Sequence, residues 1–452
     1  MSLSTPSKRD HVPKLPLLSC PVAKLPQETL DQIIDHVASS YNHLEFLVRR
    51  NTNVLLACAL TCRAWRDRSV FHLRANKHRS VWVAESRNAL DEVTQQYGCR
   101  PDLATFTQKL TIEGMHVEPM RFYDSECRRL LDIFPNVHEV TLCNVIAPPP
   151  VMRWTTFHRQ YLNVTSLHLD AVQLPTCRYF AALLHSFPHL EALHLTEAFW
   201  QCDGHQCVDE REQSDGVSVT AHSLTFVDQD DDVGCGENVS RPRLRELSMV
   251  RSNGHMHELR CLPYFFDLRF LIRLRVSCPA DATGCLVNMN DPTVSSIVTE
   301  AGDSLENASF IIPGIEEDFL IYAILPSAIS LRSNTSFSTL RIGWVDLRCL
   351  PQRVPDFSWI PTMLSAIVST RFQRFYLHIK ADSADQLQYV EWARIDDILS
   401  GPVFSCLEAF EILYRGMYHV LTTANHPASA VIEQLMPKLV ARNVLIVSET
   451  IE

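Results

Sequence analysis

The sequence predicts an α/β chain: a short N-terminal helical module, then a long solenoid of parallel short strands with outer helices. Three observations carry this. Two apolar segments near the front, "LPQETLDQIIDHV" and "VLLACALTCRAW", have helical character. A short apolar pattern then recurs about a dozen times. Helix-patterned stretches lie between its copies. The expected organisation is a flexible tail over 1–22, the helical module over 23–82, a connecting helix or linker over 83–105, and the repeat region over 106–452.

The bulk numbers agree with a globular chain: 452 residues, 46% hydrophobic and 21% charged. A formal charge of -11 argues against a protein whose main task is holding phosphate backbones, so no nucleic-acid partner is expected. The polar start, "MSLSTPSKRDHVPKLPLLSC", has no uninterrupted apolar run of the kind a secretory signal needs. "VLLACAL" and "FLIYAIL" are too short to span a bilayer, which takes about 20 residues, so no membrane contact is expected. Fifteen cysteines without paired spacing read as reduced thiols, which points to the cytoplasm or nucleus.

In the first segment Pro26 is read as a first-turn proline, with Glu28 beside it on the favourable side of the helix dipole. Leu30, Ile33, Ile34 and Val37 recur at helical spacing as one apolar stripe. After "SYNHLEFLVRRNTN", Thr52 or Asn53 starts a second helix from Val54 through about Phe71. That helix is apolar nearly all round until Arg63, and a helix with no polar face needs cover on more than one side. A module of this size has difficulty providing that cover alone. Helices of another protein are the expected cover; packing on the following domain is the plainer alternative.

The residues that carry this pattern are Leu25-Pro26-x-Glu28, Ile33-Ile34, Leu55-Leu56 and Ala59-Leu60-x-Cys62-Arg63-x-Trp65. Together they resemble the F-box, and are especially similar to the F-box sets of mushroom-forming fungi. The resemblance implies docking onto the Skp-type adaptor of a cullin–RING ubiquitin ligase. Carried over by position, it assigns the adaptor-binding surface to Leu25, Pro26, Ile33, Leu55, Leu60, Cys62 and Trp65. The interval between Val37 and Val54 is longer than in most F-boxes, so "NHLEFLVRR" must loop out or extend a helix.

In the remainder, "FPNVHEVTL", "FPHLEALHL" and "RPRLRELSM" align as Pro-x-[Leu/Val]-x-x-[Leu/Val]-x-[Leu/Met]. The same apolar spacing ends at 112, 142, 169, 195, 226, 249, 276, 310, 342, 377, 412 and 446, so the steps run from 23 to 35 residues. Leu110-Ile112, Leu224-Phe226 and Val444-Ile446 are its weakest copies. The closing Leu-x-Leu has period two, which puts both apolar side chains on one face of a strand. "DSECRRLLDIF", "TCRYFAALLHSF", "DPTVSSIVTEAG", "TMLSAIVST" and "EWARIDDILSG" read as helices, two of them ended by Phe134-Pro135 and Phe187-Pro188. The unit resembles the irregular leucine-rich repeats that many F-box proteins carry. The asparagine of that family is replaced by Val145, Ala198, Ser252 and Val345. Polar stretches at 197–222 and 227–240 read as loops from the strand ends, and "IAPPPVMRW" as a stiff connection.

The sequence contains no Gly-x-Ser-x-Gly, no phosphate-cradling Gly-rich loop and no His-Glu-x-x-His. Cys202-x-x-His205-x-Cys207 lacks the second half of a zinc site, and Asp228-x-Asp230-x-Asp232 lacks the glutamate of a calcium loop. No metal and no cofactor is expected. "RANKHRS" reads as a basic helix end. Tryptophans 82, 154, 200, 344, 359 and 392 are candidate anchors for a partner, with Trp200 foremost because it leads into the polar loop. The resemblance implies a non-catalytic substrate receptor of a Skp–cullin–F-box ligase that presents an unknown protein target. A scaffold that binds without degradation is the alternative.

Overall fold

A computed structural model describes residues 26–39, 54–60, 63–84, 87–114, 130, 133–145, 162–174, 180, 183–184, 186–200, 241–250, 262–277, 292–311, 329–347, 357–381, 383–416 and 428–451. The chain divides into two compact units, 1–80 and 81–452.

The first unit contains α1 (Gln27–Ser39), a helix α2 over 54–60, and α3 (Arg63–His78). Pro26 stands one place before the first helical residue, and its carbonyl accepts from the Thr29 and Leu30 amides at 3.1 and 3.2 Å. The buried stripe of α1 is Leu30, Ile34 and Ala38; Ile33 faces water and Val37 is half-buried. That stripe is narrower than the one expected from spacing, since buried positions follow i, i+4, i+8. In α2 only Leu55 and Cys58 are buried. They meet Ile34 and Ala38 in a small core, against which Val37, Trp65 and Leu73 pack.

The second unit is mixed α/β, built on a sheet of twelve strands hydrogen-bonded in chain order. Its strands are β1 (Ser80–Ala84), β2 (Lys109–Glu113), β3 (Glu139–Cys143), β4 (Ser166–Asp170), β6 (Ala192–Thr196) and β8 (Glu246–Val250). They continue through β9 (Arg273–Ser277), β10 (Asn307–Ile311), β11 (Thr339–Asp346), β12 (Arg374–Ala381), β13 (Ala409–Gly416) and β14 (Leu445–Ile451). From β2 to β14 every neighbouring pair is parallel. β5 (Gln173–Leu174) and β7 (Phe199–Trp200) form a separate parallel pair.

The repeated leucines explain the register. Leu167 faces Leu193, Leu247 faces Leu274, Leu340 faces Phe375 and Phe410 faces Leu445, so one side of the sheet is a continuous apolar layer. Joins between units repeat too: two successive amides entering a strand donate to one carbonyl before the preceding strand, as Thr165 and Ser166 do to His138. Over the apolar layer lie helices such as Pro292–Ala301 and Trp392–Leu399, which bury Val294, Ile297 and Val298, and Trp392, Ile395 and Leu399. Phe337 stacks on Phe372 and Phe404 meets Phe372 edge-on, with ring centroids 5.9 and 5.4 Å apart. Val145, Ala198 and Val345, standing where a leucine-rich repeat has asparagine, are all buried.

Three expectations are refined. The segment 83–105, expected as a connecting helix or linker, holds the helices Arg87–Gly98 and Pro101–Ala104; its Val83, Tyr97 and Leu103 belong to the main core, and Tyr97 packs edge-on against Phe134 at 4.9 Å. The last unit is shifted by one residue, because Leu445 and Val447 pair with Phe410 and Ile412 while Ile446 is exposed. The helix over "TMLSAIVST" starts earlier and ends at Ser365. The copy at Leu224-Phe226 lies outside the described residues, as do the tail 1–22, "NHLEFLVRR", "IAPPPVMRW" after Val145, and both motifs considered for zinc and calcium.

Candidate interaction surfaces

Two surfaces qualify, one on each unit. On the first, α1 and α2 spend their apolar residues unevenly. Ile34 and Leu55 are fully enclosed, yet Leu60 is 78% exposed, Leu56 49% and Ile33 and Val54 40% each. Phe71 on α3 is exposed as well. Water-facing leucines and isoleucines on helices with so small a core form an uncovered apolar surface.

The residues assigned to docking from sequence therefore divide. Pro26, Ile33 and Leu60 are exposed. Leu55 belongs to the interior, where it holds α2 on α1. Trp65 is half-buried, and its indole N–H is enclosed without a hydrogen-bond partner. Leu25 and Cys62 lie outside the described residues. Leu56, which carries the resemblance but was not assigned to the docking surface, joins the exposed set because it sits one residue beyond the buried Leu55.

A polar clamp fixes α3 to α1. Arg68 donates to both Asp35 carboxylate oxygens, at 2.6 and 2.7 Å, and His72 Nε2 lies 2.6 Å from Oδ1. The Arg68 hydrogen bonds hold the Asp35 carboxyl down at about 2, outweighing burial, and His72 adds a lesser lowering. The Arg68 guanidinium also lies 5.0 Å over the Phe71 ring.

The second surface is the outward side of the large sheet. The middle residue of each Leu-x-Leu points there, and register sets these residues in one row: Thr111, Thr141, His168, His194, Ser248, Arg275, Ser309, Arg341, Tyr376 and Glu411. At one end Lys109 donates to Glu139 at 2.6 Å, and His168 Nε2 lies 3.3 Å from the same carboxylate oxygen. His168 and His194 stack at 4.1 Å. Burial, reinforced by His194, pushes the His168 ring down to about 4, so at neutral pH its approach to Glu139 is not an ion pair. Burial also lowers His194. Burial works to raise Glu139, and the Lys109 hydrogen bond and charge outweigh it. At the other end Arg341 lies 4.7 Å over the Tyr376 ring.

No protein-family model matches the chain, and no curated protein does.

Among the described residues no group of three or more His, Cys, Asp or Glu side chains is placed to hold a metal. Cys143, which shares this face, is held as a thiol near 11 by burial and by Asp170 and Glu113, and so lacks a nucleophile's thiolate. No described helix is long and apolar enough to cross a membrane. Of the candidate anchors, Trp359 and Trp392 are core, Trp392 donating to the Leu387 carbonyl at 2.6 Å. Trp82 is 66% exposed on the edge strand β1. Trp200 pairs through its backbone with Leu174, and Trp154 lies outside the described residues.

Proposed function

We propose that this chain is a substrate receptor of a Skp–cullin–F-box type ubiquitin ligase, acting without catalysis of its own. In this reading the first unit is an F-box that docks the Skp-type adaptor. The second is an irregular leucine-rich-repeat solenoid whose outward sheet face holds a protein target. The observation that carries the proposal is the unfinished first unit, in which Ile33, Leu56 and Leu60 stay in water while Ile34 and Leu55 fill the core. An adaptor helix laid across them would bury what the chain itself leaves exposed. The parallel sheet supports the receptor half, since it sets a row of varied polar side chains on one open face. The mechanism is then proximity: a held target lysine meets the ubiquitin-charged enzyme at raised effective concentration, with no reacting group from this chain.

Co-purification of the full chain with a Skp-type adaptor tests the docking half. The pair is expected together, and Ile33→Asp/Leu60→Asp is expected to separate them while the sheet unit stays folded. Adaptor binding unchanged in that variant would end the proposal. Loss of target turnover on deleting 23–82 would distinguish a ligase receptor from a non-degradative scaffold.

A further inference from the structure

The chain as a whole is acidic, at -11, yet one stretch of its sheet face is basic. The first three outward positions of β9 to β12 are Arg273, Arg275 and Ser277; Asn307, Ser309 and Ile311; Thr339, Arg341 and Gly343; and Arg374, Tyr376 and His378. These twelve positions hold four arginines and no acid. Two of the arginines are satisfied at the margins: Arg273 meets Glu246 of β8 at 3.0 Å, and Arg374 lies 3.9 Å from Glu408, just before β13. The central two are not. Arg275 and Arg341 are exposed, and neither makes a hydrogen bond or ion pair among the described residues.

Register places both beside Ser309, one on each side. Their backbones are thus two strand spacings apart, about 9.5 Å, with only a small hydroxyl side chain between them. Stacking on Tyr376 orients the Arg341 guanidinium, so part of the entropy cost of fixing it is already met. Two forked donors with no acceptor among the described residues, flanking a shallow polar floor, fit carboxylates.

We propose that the β9–β12 face binds an acidic, extended protein segment, with Arg275 and Arg341 gripping its Asp or Glu side chains. Two strand spacings match three residues of a polyproline II chain at about 3.1 Å each, and its three-residue turn brings every third side chain to one side, so carboxylates at every third position suit the site. A nucleic acid fits less well, because Glu246, Glu408 and Glu411 border the patch and would face the next phosphates along a strand. The inference rests on the receptor reading by naming the kind of target it would take, but its test uses no adaptor.

The probe is a fluorescein-labelled peptide of four Glu-Gly-Ser repeats, titrated with the full chain by anisotropy. Gln-Gly-Ser and Lys-Gly-Ser peptides and a single-stranded oligonucleotide are run beside it. The acidic peptide alone is expected to bind, and more weakly as salt rises. Arg275→Gln/Arg341→Gln is expected to weaken it by at least about tenfold. Arg394→Gln, on the helix Trp392–Leu399, is expected to leave it unchanged. Thermal melts of each variant confirm folding, and Arg275→Lys/Arg341→Lys, which keeps the charge but not the fork, is expected to fall between. Absence of binding to the acidic peptide, equal binding by the Gln variant, or preference for the oligonucleotide would overturn the proposal. Adaptor co-purification would survive any of these results, so the two readings fail separately.

Discussion

Leu60→Ala separates docking from folding. Leu60 is 78% exposed, so its side chain contributes little to the stability of the unit that carries it. Burying a leucine fully is worth about 1.5–3 kcal/mol relative to leaving it in water. Roughly three-quarters of that remains to be gained at position 60, and alanine keeps a methyl group. Truncation should therefore cost the adaptor complex about 1–2 kcal/mol, or roughly 5- to 30-fold in Kd. Leu55 is the opposite control, fully buried against Ile34, Ala38 and Cys58. Leu55→Ala should cost about 2–5 kcal/mol, a large share of what so small a helical unit has. Calorimetric titration of the full chain with a Skp-type adaptor measures the first quantity, and amide hydrogen exchange across α1 and α3 the second. Leu60→Ala should weaken binding with exchange unaltered, whereas Leu55→Ala should speed exchange in both helices. If Leu60→Ala bound the adaptor as the parent does, or loosened α1 and α3 as Leu55→Ala does, the division into core and docking residues would be wrong.

Other parts of the molecule give sharper tests of single contacts. The Asp35 carboxyl is depressed by Arg68, so its contribution to stability is complete above the ordinary carboxylate range and disappears as pH falls through about 2. Because Asp35 is 41% exposed at its side chain, Asp35→Ala should cost under about 1 kcal/mol at pH 7, read as faster exchange in α1. The His168 ring is depressed to about 4, so the unfolded chain takes up a proton between pH 6.5 and 4 that the folded chain refuses. Melting temperature should fall over that window, and less steeply in His168→Gln; an identical slope would discount the buried ring. Asp396 is buried and accepts from the Lys438 and Leu439 amides at 3.1 and 2.9 Å, tying the helix Pro437–Ala441 to the helix Trp392–Leu399. Asp396→Ala leaves those amides unpaired and should cost about 2–4 kcal/mol, with protection lost first over 428–451. Uniform loss along the whole sheet would contradict that local role.

Much of the sheet was legible because its interior obeys one rule at every strand. Each copy of Leu-x-Leu must pack against the copies before and after it, and eleven of the twelve predicted positions fall in strands. The failures are equally physical. β1 escaped because Val81 and Val83 carry the period-two pattern without the leading apolar residue used to find the others. The last copy slipped because Val444 is also buried, so alternation alone could not choose between Val444-Ile446 and Leu445-Val447. On the first unit, spacing identified the apolar residues of α1 and α2 but not their division. Ile33 and Ile34 are adjacent and chemically alike, and which one faces the core depends on where Leu55 and Cys58 lie.

The outward row was hidden for a different reason. Residues that act together in a local motif lie a few positions apart, whereas Arg275, Ser309, Arg341 and Tyr376 are separated by 34, 32 and 35 residues (309 − 275, 341 − 309, 376 − 341). A parallel sheet in chain order brings them side by side only because the flanking leucines keep register. A slip of one residue in any strand would turn its polar row residue inward and an apolar residue out, at a cost far above any surface interaction. The apolar layer thus fixes the positions of the polar row without restricting its identity, so the row can vary from strand to strand while the fold does not. The lengths between strands differ freely for the same reason, since the intervening segments leave and rejoin the sheet without altering which residue faces which. The signal was therefore present in the aligned repeats all along, in the variable middle position between two constant ones.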